Sequence, residues 1–339
     1  MTSFNSIGDL SRTFQLRLGQ SSLKSRLDQL TQEMMTGIKT DVPKALGGDL
    51  HKISHIEGRL AMLSSFQLNA SEAQAQFQAM QTALESIKDT VDDLGPSLLT
   101  QAGASDENQL RSQLGGIEQN FRSMFNTLNT NVAGRYLFSG SRSDTAPLGS
   151  FDDMMSALGT AVSGATTASD IAARIDAWFD APAGAGGFLD STFQGSDSGS
   201  TSLAVSPDSQ VSMSLTANSS TLRDTLKGMA IMAYASEAGT GVDGAMLRDL
   251  FTEAGSRLVK GSTGLISAAA DLGQRQATVT QAQTRNGAEA TALSVARSNL
   301  INADPYETAT ALEEVEAKIE SLYALTARLS RLNLTDYLS

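Results

Sequence analysis

His51 and His55 stand four residues apart in HKISH, a spacing that sets two imidazoles on one helix face where they could share a zinc ion. The sequence has no cysteine and no third histidine, and Lys52 stands where a zinc-protease HExxH motif needs its glutamate. A carboxylate such as Glu57 would complete a site only through an accident of folding, so the pair reads as two solvated histidines at a helix start. GTGVDG at 239–244 matches G-x-G-x-x-G, but a dinucleotide fingerprint needs a strand before it and a helix after it. KGMAIMAYASEA precedes it and reads as helix, so the glycines mark a loop between helices. Asp152 and Asp153 form a carboxylate pair of the kind used in general acid–base chemistry, yet their surroundings are so acidic that solvation explains them. No G-x-S-x-G elbow is present. No catalytic residue, cofactor site or metal site is expected.

Composition narrows the function further. Aromatic residues make up only 5% of the 339, against 40% hydrophobic residues overall, so the core must be mainly aliphatic, as in helix seams. A net charge of −12 argues against a general nucleic-acid binder, which needs a basic face. The absence of cysteine rules out disulfides and thiolate sites and suits a chain that passes between redox environments. The first thirty residues lack a basic start followed by an apolar core and do not read as a cleaved signal. No run approaches eighteen consecutive apolar residues, so no membrane span is expected.

The elements that would carry any site are long amphipathic helices. Leu16, Leu23, Leu27, Leu30 and Met34 make a narrow seam near the N-terminus. A second seam runs from Ile53 through Leu63, Phe77, Leu84 and Val91 to Leu94, where Gly95-Pro96 is expected to end it. At 1.5 Å per residue it would be about 60 Å long, which suits a rod or bundle. A third runs from Leu110 to Leu128. Another repeats every seven residues through Leu258, Leu265, Leu272, Val279, Leu293 and Leu300, with Asn286 at the missing position as a register-fixing polar residue. Asp304 and Pro305 have the types of a helix cap and first turn. Beyond them lie Leu312, Val315, Ile319, Leu322, Leu329 and Leu332. Thr221 and Asp224 have capping-box spacing before another helix. Residues 1–40 hold five bases and three acids and residues 300–339 three bases and seven acids, so the terminal helices are expected to pair.

Between the seams the pattern changes. NTNVAGRYLFSGSRSDTAPL at 129–148 packs Tyr136, Leu137 and Phe138 together near Gly134 and Gly140, then large apolar residues thin out. Residues 141–218 carry two bases and nine acids, a net of −7. Their helical pieces are anchored by Trp178 and Phe179, and 201–215 alternates like a β-hairpin. The expected fold is mainly α: an elongated nested helical rod or bundle with a small α+β insertion. Its expected parts are 1–40 with 301–339 as a terminal helical pair, 41–140 with 219–300 as a helical bundle, and 141–218 as an acidic solvent-facing insertion.

Several stretches resemble one family. GRYLFSG (134–140), FQGSDSG (193–199), TLRDTLKGMAIMA (221–233) and ARSNLINADPYETATALEEVEAKIESLYALTARLSRLNLTDYL (296–338) are similar to the hook-associated protein 3 family, the hook–filament junction proteins related to flagellin. The resemblance covers nearly the whole chain and is weakest over 149–190. It implies a flagellin-like fold and a structural role outside the cell. Export would run through the flagellar type III apparatus, with an export chaperone and without signal cleavage. Assembly with copies of itself would follow, beside hook-associated protein 1 and flagellin. No enzyme, cofactor, nucleic-acid partner or membrane insertion is expected. The terminal seams, Leu16 through Met34 and Leu312 through Leu332, would then be the assembly interface. Arg135, Tyr136, Leu137 and Phe138 would anchor the end of the bundle. Flagellin itself is the nearest alternative, ahead of a coiled-coil scaffold or a secreted enzyme on a flagellin-like rod.

Overall fold

The computed structural model describes residues 5–197 and 201–338, with side chains at 5–10, 12–13, 201, 240 and 329–338 outside that description. In chain order the elements are α1 (Asn5–Thr36), α2 (Val42–Ala45), α3 (His51–Ala104), α4 (Glu107–Leu128), β1 (Asn131–Val132), β2 (Arg135–Tyr136), α5 (Phe151–Ala161), α6 (Ala168–Phe179), α7 (Phe188–Ser191), β3 (Thr201–Ser206), β4 (Ser209–Met213), α8 (Ser220–Ala238), a 3₁₀ turn (Gly239–Gly241), α9 (Gly244–Ile301) and α10 (Pro305–Leu338). The chain forms two compact units, one of residues 1–62 with 288–339 and the other of residues 63–287. Those limits fall inside α3 and α9, whereas the three-part division expected from the sequence sets its limits at 40/41, 140/141, 218/219 and 300/301.

The first unit contains the terminal helices. Helix α1 ends at Gly37, whose φ of +69° is a left-handed conformation that glycine adopts without steric cost. Its neighbour Ile38 then forms an antiparallel bridge with Asn302. Lys39 donates its N–H to the Ile301 carbonyl at 2.9 Å, and Ala303 donates to Gly37 at 2.9 Å. Two connections are thereby joined as a minimal strand pair that no sequence periodicity announces. Asp304 caps α10 as expected, accepting the N–H groups of Tyr306 at 2.8 Å and Glu307 at 3.1 Å. Arg59 holds Glu289 through two hydrogen bonds, and this keeps the Glu289 carboxyl below its usual range.

The second unit is built on one continuous apolar core. Phe77, Leu84 and Val91 of α3, Phe121 and Leu128 of α4, Leu226 and Met229 of α8, and Leu258, Leu265 and Leu272 of α9 are all buried in it. The aliphatic seams read from the sequence account for most of these positions. Met154, Ile171, Trp178, Phe179 and Phe188 of the insertion belong to the same buried cluster. The insertion is therefore packed on the helices and not merely tethered to them. Its helices start where their caps dictate: Ser150 accepts the Asp153 N–H, and Thr167 the Asp170 N–H. Ion pairs fasten α6 to α8 and α9. Lys227 reaches Asp180 at 2.8 Å and Asp224 at 3.1 Å, and Arg257 reaches Asp176 at 2.7 Å. The Asp176 hydrogen bond is the main cause that raises the Arg257 pKa above its ordinary value.

Two sequence expectations fail here for tertiary reasons. Helix α3 does not end at Gly95-Pro96; it continues through Pro96 to Ala104. Leu98, one turn beyond Leu94, is buried at 1% exposure, and a Cβ at Gly95 would meet the Val259 side chain at 3.2 Å. Burial of Leu98 and this close approach of α9 outweigh the one N–H that proline removes. The Thr221–Asp224 capping box also does not form. Helix α8 has its N-cap two residues earlier, at Ser219, and Asp224 is engaged by Lys227 instead.

Candidate functional site

Helices α1 and α10 lie against each other, as the sequence led us to expect. Gln20 Nε2 donates to the Tyr323 hydroxyl at 3.1 Å across the pair. Leu30 at 2% and Val315 at 7% exposure are the buried members of the two terminal seams. Leu16, Leu23, Leu27, Leu312, Ile319 and Leu322 are half-buried. Leu329 and Leu332 have side chains outside the described residues. Met34 is 47% exposed, because Glu33 takes the inward position and accepts the Thr40 N–H at 2.9 Å. The charge imbalance between the termini is not expressed as contacts: among the described residues no ion pair joins α1 to α10. The pair is held by aliphatic burial, and its opposite charges act only at longer range.

This pair leaves large apolar side chains in solvent. Phe14 is 67% exposed and Leu18, one turn later, 63%. Met35 is 82% exposed, Tyr306 81% and Leu325 49%. Exposure on this scale along both helices is unusual for large apolar side chains.

The apolar knot occupies the second unit. Asn131 pairs with Tyr136 and Val132 with Arg135 in a two-residue ladder whose turn uses Ala133 at φ +52° and Gly134 at φ +82°. Leu137 and Phe138 are buried at 6% and 0%, while Tyr136 is half-buried and Arg135 exposed. Phe138 accepts the Ala217 N–H at 2.9 Å, and Ser139 accepts the Ser196 N–H at 2.9 Å. Arg135 reaches Glu72 at 3.0 Å. A Cβ on Gly140 would lie 2.3 Å from the Ser196 carbonyl oxygen, so only glycine fits. The GRYLFSG wording is therefore a packing and backbone-approach motif that ties the start of the insertion to its end.

A third feature was visible in the sequence only as an anomaly. Asn286, at the broken heptad position of α9, is 2% exposed and donates from Nδ2 to the Val205 carbonyl at 2.7 Å. Asn69 of α3 donates to the adjacent Ala204 carbonyl at 2.9 Å. The β3–β4 register slips between Ala204 and Ser206, a bulge that leaves a strand carbonyl without its ladder partner. The two asparagines supply the missing donors and clasp the hairpin to both long helices. Arg275 repeats this on the other strand, bonding the Ser212 carbonyl at 2.7 Å.

Among the described residues, the sequence candidates for metal and dinucleotide binding lie in helix and loop positions. His51 and His55 are both exposed at the start of α3, and among the described residues no group of three or more potential ligands could hold a metal ion. The GTGVDG loop joins α8 to α9, with Arg111 donating to the Gly239 and Val242 carbonyls, so it serves as a helix connection. Among the described residues no helix is long and apolar enough to cross a membrane.

Against this geometry, the sequence matches the model of the bacterial flagellin N-terminal helical region over residues 10–143 and that of the C-terminal helical region over residues 260–338. The chain belongs to the flagellin family. It is a structural component of the bacterial flagellum, with a mainly α, flagellin-like fold and small β elements. Two solved structures are similar in fold. One is a chain assigned as a flagellar hook-associated protein of Vibrio parahaemolyticus, with a TM-score of 0.50 and 12% identity, covering 73% of this chain and 95% of that one. The other is FlgL of Bacillus cereus, with a TM-score of 0.50 and 17% identity, covering 72% of this chain and 100% of that one. No curated protein matches the sequence.

Proposed function

We propose that this flagellin-family chain is the junction adaptor between hook and filament, a structural protein with no catalytic role. Its three working parts would be the terminal helical pair, the helical bundle and the outward acidic insertion. The observation that carries assembly is the apolar surface of the terminal pair, with Phe14, Leu18, Met35 and Tyr306 each more than 60% exposed in the single chain. Neighbouring subunits would cover it, with Leu16, Leu23, Leu27, Leu30, Met34, Leu312, Val315, Ile319, Leu322, Leu329 and Leu332 as the interface seams. Arg135, Tyr136, Leu137 and Phe138 would anchor the bundle end. The junction assignment is supported by the GRYLFSG and Asp336-Tyr337-Leu338 wording and by fold similarity to chains described as hook-associated protein and FlgL. Its partners would be copies of itself, hook-associated protein 1, flagellin and, before assembly, the type III export apparatus with a chaperone.

A bulk filament subunit is the second reading, favoured by the flagellin description of both matched family models. Electron microscopy of a strain lacking the protein, with flagellin assayed in the medium, separates the two. Hooks without filaments and flagellin lost to the medium are expected. Normal filaments would overturn the junction reading, and loss of all filament without flagellin in the medium would identify the chain as the bulk subunit.

A further inference from the structure

Among the described residues, seven methionines, Met80, Met154 and Met229 among them, are buried at 9% exposure or less. Met35 is 82% exposed and Met34 47%, side by side in the last turn of α1; Met62 follows at 41%. Glu33 holds the inward position in that turn, so both thioethers face solvent. A leucine would serve hydrophobic packing equally well there. What methionine adds is a polarizable sulfur that reacts with peroxides.

We propose that Met34 and Met35 are an oxidation site of the unassembled subunit, taking hydrogen peroxide or an alkyl hydroperoxide as substrate, and that their oxidation blocks burial of this end of α1 by a neighbour. The sulfur lone pair attacks the terminal peroxide oxygen; the S–O bond forms as the O–O bond breaks. The departing hydroxide or alkoxide gains the proton and leaves as water or alcohol. Sulfur is oxidised by two electrons and the peroxide is reduced by two. The sulfoxide oxygen is a strong acceptor, and burying it without a donor is unfavourable. Once a neighbour covers this turn the same sulfurs are shielded, so sensitivity is confined to the free chain. The effect on assembly rests on the interface reading under the proposed function; the selectivity of oxidation does not.

The test treats the full-length chain with dilute hydrogen peroxide and follows each methionine by peptide mass spectrometry. Met35 is expected to gain oxygen about tenfold or more faster than the seven buried methionines, with Met34 and Met62 between. Uniform oxidation, or an unmodified Met35, overturns the site. Treated and untreated chains are then compared for incorporation onto flagella of a strain lacking the protein, alongside a double variant M34L/M35L. Each form is read against its own untreated level: oxidation is expected to lower incorporation of the native chain and to leave that of the double variant unchanged from its untreated value. Loss in both overturns the switch, because another residue is then responsible. Failure of both untreated forms to incorporate rejects the interface reading and the switch together, while the oxidation site still stands or falls on the mass spectrometry.

Discussion

Asn286 shows how one polar residue in an apolar seam is settled by what lies opposite. Its amide reaches a strand carbonyl at a bulge, so Asn286→Leu removes the donor to that buried oxygen. The expected cost is about 1–3 kcal/mol, the penalty for an unsatisfied buried acceptor. Asn69→Ala, at a half-buried position, should cost less; urea unfolding of both variants checks the order. Asp190 makes a different, pH-dependent contribution. Its carboxylate accepts the Gly184 N–H at 2.8 Å and the Gly186 N–H at 2.7 Å, and these backbone bonds lower its pKa. A depressed carboxylate stabilises the fold above the unfolded value of about 3.9, and that contribution disappears as pH falls through the lower folded value. The melting temperature of the native chain should therefore drop more between about pH 6 and pH 3 than that of Asp190→Asn. Equal drops would remove Asp190 from the explanation.

At the scale of elements, glycine spacing decides how closely the long helices approach. A Cβ on Gly228 of α8 would fall 2.8 Å from Leu258 Cδ2 and 3.2 Å from the Ala254 carbonyl oxygen. Leu258 is fully buried and cannot withdraw. Gly228→Ala is thus expected to destabilise by about 1–3 kcal/mol despite alanine's better helix propensity. Gly273 of α9 has open space where its Cβ would go, so Gly273→Ala should instead stabilise by about 0.5–1 kcal/mol. Thermal melts giving both changes the same sign would reject this account. Pro96 belongs to the same lesson. Read locally, Gly-Pro is a stop signal; in the folded chain the burial of Leu98 carries the helix through it.

At the scale of the whole molecule, the terminal helices bury part of their apolar surface on each other and leave the rest exposed. Under the proposed function, neighbouring subunits cover that remainder. Ile319 is half-buried, and placing a carboxylate there opposes coverage by another subunit. Ile319→Asp is expected to leave secretion intact and abolish incorporation into flagella, read by immunoblotting of medium and of sheared filaments. Incorporation at native levels would remove Ile319 from the interface. A defect already at secretion would point to the export step.

Much of this was legible in the residues themselves. Seams such as Leu258, Leu265 and Leu272 announce buried helix faces, because a period near 3.6 repeats the same side chain on one face. Asp304-Pro305 announces a helix start, because cap chemistry is local. The alternation at 201–215 announces the hairpin, because strand side chains alternate faces. The tertiary structure alone decided the rest. That Pro96 lies inside a helix, that Asn286 and Asn69 complete a bulged strand, and that Gly37–Lys39 pairs with Ile301–Ala303 all depend on residues far apart in sequence. Local propensity differs by about a kcal/mol between alternatives, and burial of one side chain or one polar group is worth as much. Where the two conflict, the contact made across the fold prevails.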